Sequence, residues 1–367
     1  MSPLGELRVA LVLATSTGGV GRHVADVARE LSSHGVRAVV LGPRATNERF
    51  GFATPFRSIE IGSAMRLPDL LRTALAALRL RRVVRSADVV HAHGFRAAAV
   101  SVVASRRVSA RRRPRPALVV TFHNAMSGGR FRRGVLLRAR RLVARRADTV
   151  FVVSPDLAAA IANSRRALVA APSGVADREP ATTRRLLDIA DDAAIVLAVG
   201  RLHPQKGFDV LVRAATRWPP DRRVVVVIAG DGPQRGALSK LVAELAVDVR
   251  LMGDRDDIAD LLQVADVVAM PSRWEGWPLT AGEVLTAGRP MVAAAVGGLP
   301  ELVGDAAVLV PPADPVALAD AITTLLEDAE LAGDYARRAV KRAAELPVNA
   351  DVVRQLVDCY ARLASRS

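Results

Sequence analysis

Short apolar runs alternate with longer amphipathic stretches along nearly the whole chain. Residues 7–14 form a Val- and Leu-rich run, followed by a glycine turn at Gly18 and Gly19. Val20, Val24, Val27 and Leu31 then recur at helical spacing, which places them on one face. Further apolar runs stand at 36–41, 88–92, 117–122 and 149–153. The pattern repeats at 194–199, 224–229, 249–252, 267–270, 290–294 and 307–310. Uninterrupted apolar runs separated by helical stretches predict βα units with strands buried on both faces of a parallel sheet. Residues 171–193 carry Pro, Gly and Thr without a clear period and predict a linker. The expected architecture is α/β, with two Rossmann-like doubly wound domains facing across a cleft. Ligands of such sheets bind beyond the carboxyl ends of the strands.

Composition adds exclusions. A chain of 367 residues fits two domains, and half of it is apolar with 24% charged, which excludes a disordered or fibrous protein. The single cysteine, Cys359, excludes intrachain disulfides and four-cysteine zinc sites. No run approaches the ~18 apolar residues of a membrane span, and no signal-peptide pattern opens the chain, so a cytoplasmic protein is expected.

Charge changes the picture more. The net +15 is unevenly spread: residues 1–175 hold 30 Arg, no Lys and 9 acidic residues, for +21, and the remainder carries −6. Residues 130–146 read R-F-R-R-G-V-L-L-R-A-R-R-L-V-A-R-R, with Phe131, Val135, Leu142 and Val143 at near-helical spacing. A basic amphipathic helix of this type lies on anionic membranes. Residues 72–85 add a second basic stretch. The bland alternative is a compositional preference for Arg carried on ordinary surface. Nucleic-acid binding also fits the charge, but aromatic residues make up only 4% and supply few stacking platforms, and no recognised motif is present. No nucleic-acid partner is expected.

Candidate chemistry clusters after the predicted strands. Residues 271–290, P-S-R-W-E-G-W-P-L-T-A-G-E-V-L-T-A-G-R-P, open a helix near Leu279. Backbone N–H groups of Leu279 and Thr280 at a helix start suit a phosphate. Glu283 can accept hydrogen bonds from sugar or ribose hydroxyls; a solvated helix bearing two surface glutamates, Glu275 and Glu283, is the plain alternative. In V-G-R-L-H-P-Q-K-G-F-D, residues 199–209, Arg201 and Lys206 share one loop and could neutralise a diphosphate. Lys206 is one of only three lysines. I-A-G-D-G-P at 228–233 is by itself a turn.

T-S-T-G-G-V-G at 15–21 lacks the G-x-G-x-x-G spacing of a dinucleotide site, and Leu41, Gly42 and Pro43 stand where an acidic residue would be. Its glycines fit either a tight turn or close backbone approach to a phosphate or sugar. His91, His93 and His123 each stand at or just after a predicted strand end. No third ligand is expected beside them, so no zinc site is expected. Asp254-Arg255-Asp256 resembles a metal-holding D-x-D string, but helix capping is the favoured reading.

In this order these stretches resemble the retaining glycosyltransferases of family 4, which have the GT-B fold. The resemblance also rests on D-V-V-H-A-H-G, T-F-H-N, the E-x7-E from Glu275 to Glu283, V-G-G-L-P-E at 296–301 and L-V-P-P-A-D-P at 309–315. It implies an acceptor-binding domain at 1–174, completed by a helix at 351–367 that crosses back, and a nucleotide-sugar-binding domain at 175–350. It implies that Arg201 and Lys206 bind the donor diphosphate with the backbone of Leu279 and Thr280, that Glu283 holds the ribose, and that Gly19 faces the diphosphate. Glu275 and His123 would touch the transferred sugar at the reaction centre. It further implies a nucleoside-diphosphate hexose donor, no cofactor and no metal, retention by same-face attack, and domain closure that excludes water. Combined with the basic front half, it points to an anionic or lipid-linked cell-envelope acceptor at the inner membrane face. Rival readings are an epimerase or phosphorylase on the same scaffold, or a non-catalytic protein, which would typically lack Arg201, Lys206 or Glu283.

Overall fold

The apolar runs become strands. The structure, a computed structural model, describes residues 7–16, 18–61, 67–105, 115–123, 130–170, 176–218 and 223–365. The chain divides into two units, Met1–Ala170 with Pro347–Ser367, and Ala171–Leu346.

In the first unit seven parallel strands are β1 (Arg8–Leu13), β2 (Arg37–Gly42), β3 (Phe56–Ser58), β4 (Val89–His93), β5 (Ala117–Phe122), β6 (Thr149–Val152) and β7 (Arg165–Arg166). Their order is β3-β2-β1-β4-β5-β6-β7. Leu11 in β1 sits opposite Val40 on one side and His91 on the other. The helix Gly19–Ser33 buries Val24, Val27, Ala28 and Leu31 in this core, and the helix Asn349–Ala364 adds Val352, Val353, Leu356 and Tyr360.

The second unit holds β8 (Ala194–Val199), β9 (Val224–Ala229), β10 (Val249–Gly253), β11 (Val267–Met270), β12 (Met291–Ala294) and β13 (Val308–Val310), in the order β10-β9-β8-β11-β12-β13. Successive residues of a strand face opposite sides. Ile195, Leu197, Val225 and Val227 therefore pack with Leu285, Leu299 and Leu302 in one core. Val196, Ala198, Val226 and Ile228 pack with Leu211, Leu318 and Ile322 in the other. Two covered faces explain why the runs show no polar alternation.

One polar device recurs at the strand starts. Asp88, Asp148 and Asp266 immediately precede β4, β6 and β11. Each carboxylate accepts a backbone N–H from the neighbouring strand, of Arg8 at 2.8 Å, Leu118 at 2.8 Å and Ile195 at 2.7 Å respectively. Each also pairs with an arginine: Arg8, Arg115 or Arg184. The aspartate thus fixes where each parallel pair begins.

Two expectations need correction. The stretch read as a linker contains a helix, Pro180–Leu186, while residues 171–175 lie outside the described residues. At its far side Asp260, 2% exposed, accepts the backbone N–H groups of Asp177 and Arg178 at 2.6 and 3.0 Å and pairs with the Arg178 guanidinium at 2.8 Å. The basic helix forms as Arg130–Ala144, but Leu142 and Val143 do not share a buried face: Leu142 is 55% exposed and Val143 is buried. Arg140 is buried too, its guanidinium 5.2 Å from the Phe122 ring centre, and burial lowers its pKa to about 10. The side chains of Phe131 and Val135 lie outside the described residues. Among the described residues no helix is long and apolar enough to cross a membrane.

Candidate active site

In the second unit the loops after β8 and β11 are locked to each other. The loop after β8 closes in a single 3-10 turn, Pro204–Lys206. The Arg273 N–H donates to the Gln205 carbonyl at 2.7 Å, and Gln205 Nε2 donates to the Trp274 carbonyl at 2.9 Å. The Arg273 guanidinium forks onto Asp209, 2.7 Å to each oxygen, and donates to the Pro204 carbonyl at 3.0 Å. That fork holds the Asp209 carboxyl below its ordinary pKa. The result is a fixed ion pair: Lys206 Nζ lies 2.7 Å from Glu275 Oε1, which also accepts from Ser272 Oγ at 2.6 Å. Glu275 is only 4% exposed.

Two glycines permit this closeness. Gly207 has φ +65 and Gly297 has φ +56, where side-chain-bearing residues are disfavoured. A Cβ at Gly207 would stand 2.1 Å from the Pro271 carbonyl oxygen, and one at Gly297 would stand 1.8 Å from that of Glu275. The turn at 228–233 braces the β8 loop from the other side. The Leu202 N–H donates to the Asp231 carbonyl, and the Gln234 N–H donates to that of Leu202, both at 3.0 Å.

The helix Leu279–Thr286 follows Pro278, which offers no capping side chain. The Ala281 N–H bonds to the Pro278 carbonyl at 3.1 Å. The N–H groups of Leu279 and Thr280 come before any intrahelical acceptor, as at every helix start, and form a site of positive potential. Glu283 is half-buried and stands four residues after Leu279, on the same side of the helix. Arg201, exposed, follows β8 by two residues. Partial burial and then the Arg201 charge lower the His203 pKa. The structure therefore joins Lys206 to Glu275 directly and places Arg201, Leu279, Thr280 and Glu283 on the carboxyl-end segments of the same two strands.

Neither Asp254 nor Asp256 stands in the capping position. The helix they precede begins at Ile258 with Asp257 before it, and Asp257 makes no capping bond. It is tied up by Arg255, in a fork with one arm of 2.8 Å, and by Arg178 at 2.6 Å, which lower its pKa against a smaller effect of burial.

In the first unit Gly19 is the first residue of its helix, with Gly18 before it and no side-chain cap. His123 directly follows β5. The histidines of β4 divide their tasks. His91 is structural: its Nδ1 lies 2.6 Å from the Tyr360 hydroxyl and its Nε2 lies 2.7 Å from Thr121 Oγ1. His93 Nδ1 lies 3.1 Å from His123 Nε2. The expectation of no third ligand beside them is overturned, because His23 brings a ring nitrogen within 4.8 Å of both. Helical position 23 was legible, but its neighbours lie 70 and 100 residues further along, and no local spacing joins them.

Two family models match this chain: one described as Glycosyltransferase Family 4 over residues 17–176, and one described as Glycosyl transferases group 1 over residues 193–328. The chain belongs to glycosyltransferase family 4. Among curated relatives of this family 4 chain, D-inositol 3-phosphate glycosyltransferase of Corynebacterium aurimucosum is 38% identical over 214 residues, covering 51% of this chain and 50% of that protein. Alpha-D-kanosaminyltransferase of Streptomyces kanamyceticus is 36% identical over 164 residues, covering 43% and 42%. The match thus spans about half the length of these relatives. Among solved structures, Anabaena HepE in complex with UDP-glucose superposes with a TM-score of 0.82 at 21% identity, over 97% of this chain and 100% of that one. WaaG, a glycosyltransferase involved in lipopolysaccharide biosynthesis, gives 0.72 at 17% identity, over 96% and 99%. These likenesses show the fold: two Rossmann-like units of the GT-B type.

Proposed function

We propose that this protein transfers a hexose-type sugar, with retention, from a nucleoside-diphosphate sugar to an anionic or lipid-linked acceptor. The observation that carries the donor half is the locked pair of loops that fixes Lys206 against Glu275 beside the helix start at Leu279. A departing nucleoside diphosphate needs its growing negative charge met by groups already in place. Arg201 as a fork, Lys206 as a point charge and the Leu279 and Thr280 N–H groups supply this without a metal. Glu283 would take the ribose hydroxyls and Glu275 those of the sugar. Family resemblance assigns Gly19 to the diphosphate and His123 to the sugar. HepE and its UDP-glucose make uridine the first base to try.

A thermal-shift panel of nucleoside diphosphates and their sugars tests this. One base class is expected to raise the melting temperature, equally with and without chelator. A ligand at 100 times its Kd stabilises by about 2.7 kcal/mol. No shift from any member of the panel would remove the donor site.

The acceptor half rests on the +21 front segment together with exposed apolar side chains on neighbouring helices of the first unit. Leu75 and Leu78 on the helix Leu67–Val84, Val103 on Phe95–Ser105 and Leu142 on Arg130–Ala144 are each more than half exposed. Basic and apolar groups side by side fit an anionic interface at the inner membrane face. Sedimentation with vesicles is expected to show binding to anionic lipid, weakened by salt, and little to neutral lipid. Equal binding to both would refute the acceptor half.

A further inference from the structure

β4 brings two histidines to one face, because residues two apart on a strand point the same way. His91 spends both ring nitrogens on Tyr360 and Thr121. His93 does not: it is 3% exposed, and its Nε2 has no hydrogen-bond partner. Its ring centre lies 5.4 Å from that of His123 and 5.9 Å from that of His23, and His23 lies 5.4 Å from His123. One ring nitrogen from each of the three falls within 4.8 Å of the other two. Among the described residues this is the one trio of His, Cys, Asp or Glu so spaced.

The geometry is near that of a metal centre. Three imidazoles with an open fourth position form a known zinc arrangement, with Zn–N at about 2.0–2.1 Å. Ligand nitrogens of a tetrahedral centre are then about 3.3 Å apart. His93 Nδ1 and His123 Nε2 are already 3.1 Å apart, in a hydrogen bond whose proton the ion would displace, and the three ring nitrogens, within 4.8 Å of one another, must draw together to about that spacing. Burial lowers the pKa of all three rings, that of His23 to about 4, so they stand as neutral imidazoles with lone pairs available. An all-nitrogen set favours zinc-class ions over Mg²⁺ or Ca²⁺, which take oxygen ligands.

We propose that His23, His93 and His123 bind one divalent transition-metal ion of the zinc class, and that this ion inhibits sugar transfer by engaging His123. The inhibitory half rests on the function proposed above; the binding half does not. Occupancy is an off-switch rather than a step in the reaction, because the diphosphate charge is met elsewhere.

The test is a Co²⁺ titration of the metal-free full-length chain, read by visible absorption. One equivalent is expected to give the intense bands of four-coordinate cobalt, which Zn²⁺ then displaces. His23→Gln is expected to weaken binding by roughly 10–100-fold or more. His34→Gln, at an exposed histidine just after the same helix, serves as control and keeps the wild-type titration. Circular dichroism establishes that each variant folds. Cobalt bands that are absent from the wild type, or unchanged in His23→Gln, overturn the site. Zn²⁺ is expected to raise the donor KM of the wild type and not that of His23→Gln. Binding without that rise overturns the inhibitory half. If no donor shows turnover while the cobalt bands persist, the proposed function fails and the metal site stands.

Discussion

Lys206→Met is expected to cut the rate of sugar transfer by about 10²–10³ and to lower the melting temperature together, whereas Lys206→Met combined with Glu275→Gln restores only the stability. The ion pair is well shielded, with side-chain exposures of 18% and 5%. Removing one partner of a buried pair strands the other charge, at a cost of about 3–5 kcal/mol. Ser272 still donates to Glu275, so some of that cost is recovered. For a unit of this size, the loss corresponds to roughly 10 °C in melting temperature. In the double variant the glutamine amide keeps accepting from Ser272 and no charge is buried, so most of the stability returns. On the function proposed above catalysis does not return, because the cation assigned to the leaving diphosphate is missing. One such donor is worth about 10²–10³ in kcat. Thermal denaturation and kcat/KM of the wild type and both variants decide the matter. A single variant with wild-type kcat/KM would take Lys206 out of the site, and a double variant that regains turnover would make the pair purely structural.

The parts of this structure that sequence makes legible share a physical cause. Long central strands such as β1, β5, β8 and β9 are buried on both faces, and a continuous apolar run is what that burial requires. β3 and β7 lie at the edges of their sheet, span three and two residues, and include Arg57, Arg165 and Arg166, so no apolar run marks them. The three Ala-Asp pairs before β4, β6 and β11 are also visible in sequence, but their meaning depends on which strand lies alongside.

In the site the same division holds. Lys206 and Glu275 are each readable as loop residues after a strand, yet 69 residues separate them, and only the adjacency of β8 and β11 brings them together. His23 is the stronger example. A doubly wound order places the helix after β1 near the end of β4, and that order, not any spacing along the chain, carries His23 to His93. Asp254 and Asp256 show the reverse: a string read as a helix cap stops short of the helix, which begins at Ile258 with the capping position on Asp257, the residue that Arg178 and Arg255 claim.

Mild acid is expected to unfold the first unit while the second remains intact, and His91 is one of several buried histidines that act in this direction. It is 1% exposed, is bonded at both nitrogens, and has its pKa lowered to about 3, by burial first and by the His23 charge second. Tyr360, whose own pKa burial raises well above its ordinary value, keeps its proton and can donate to the neutral ring. The unfolded chain titrates near 6.5, so between about pH 6.5 and 3 it takes a proton that the folded unit refuses. The contribution is therefore fully present above about pH 6.5 and is lost as pH falls, at about 1.4 kcal/mol per pH unit. By pH 5 His91 alone removes about 2 kcal/mol. His93 and His123, also held far below their ordinary values by burial, act in the same direction. The carboxylates Asp209 and Asp257 of the second unit have lowered pKa values, so their contribution is complete above about pH 4 and fails only in stronger acid. Calorimetry between pH 8 and pH 4.5 is expected to resolve an early transition that moves down with acid and a later one that holds. His91→Gln keeps an amide near Thr121 without a titrating group. Its first transition should start lower at pH 8 and fall less steeply, and a slope equal to that of the wild type would show that His91 does not set the acid response.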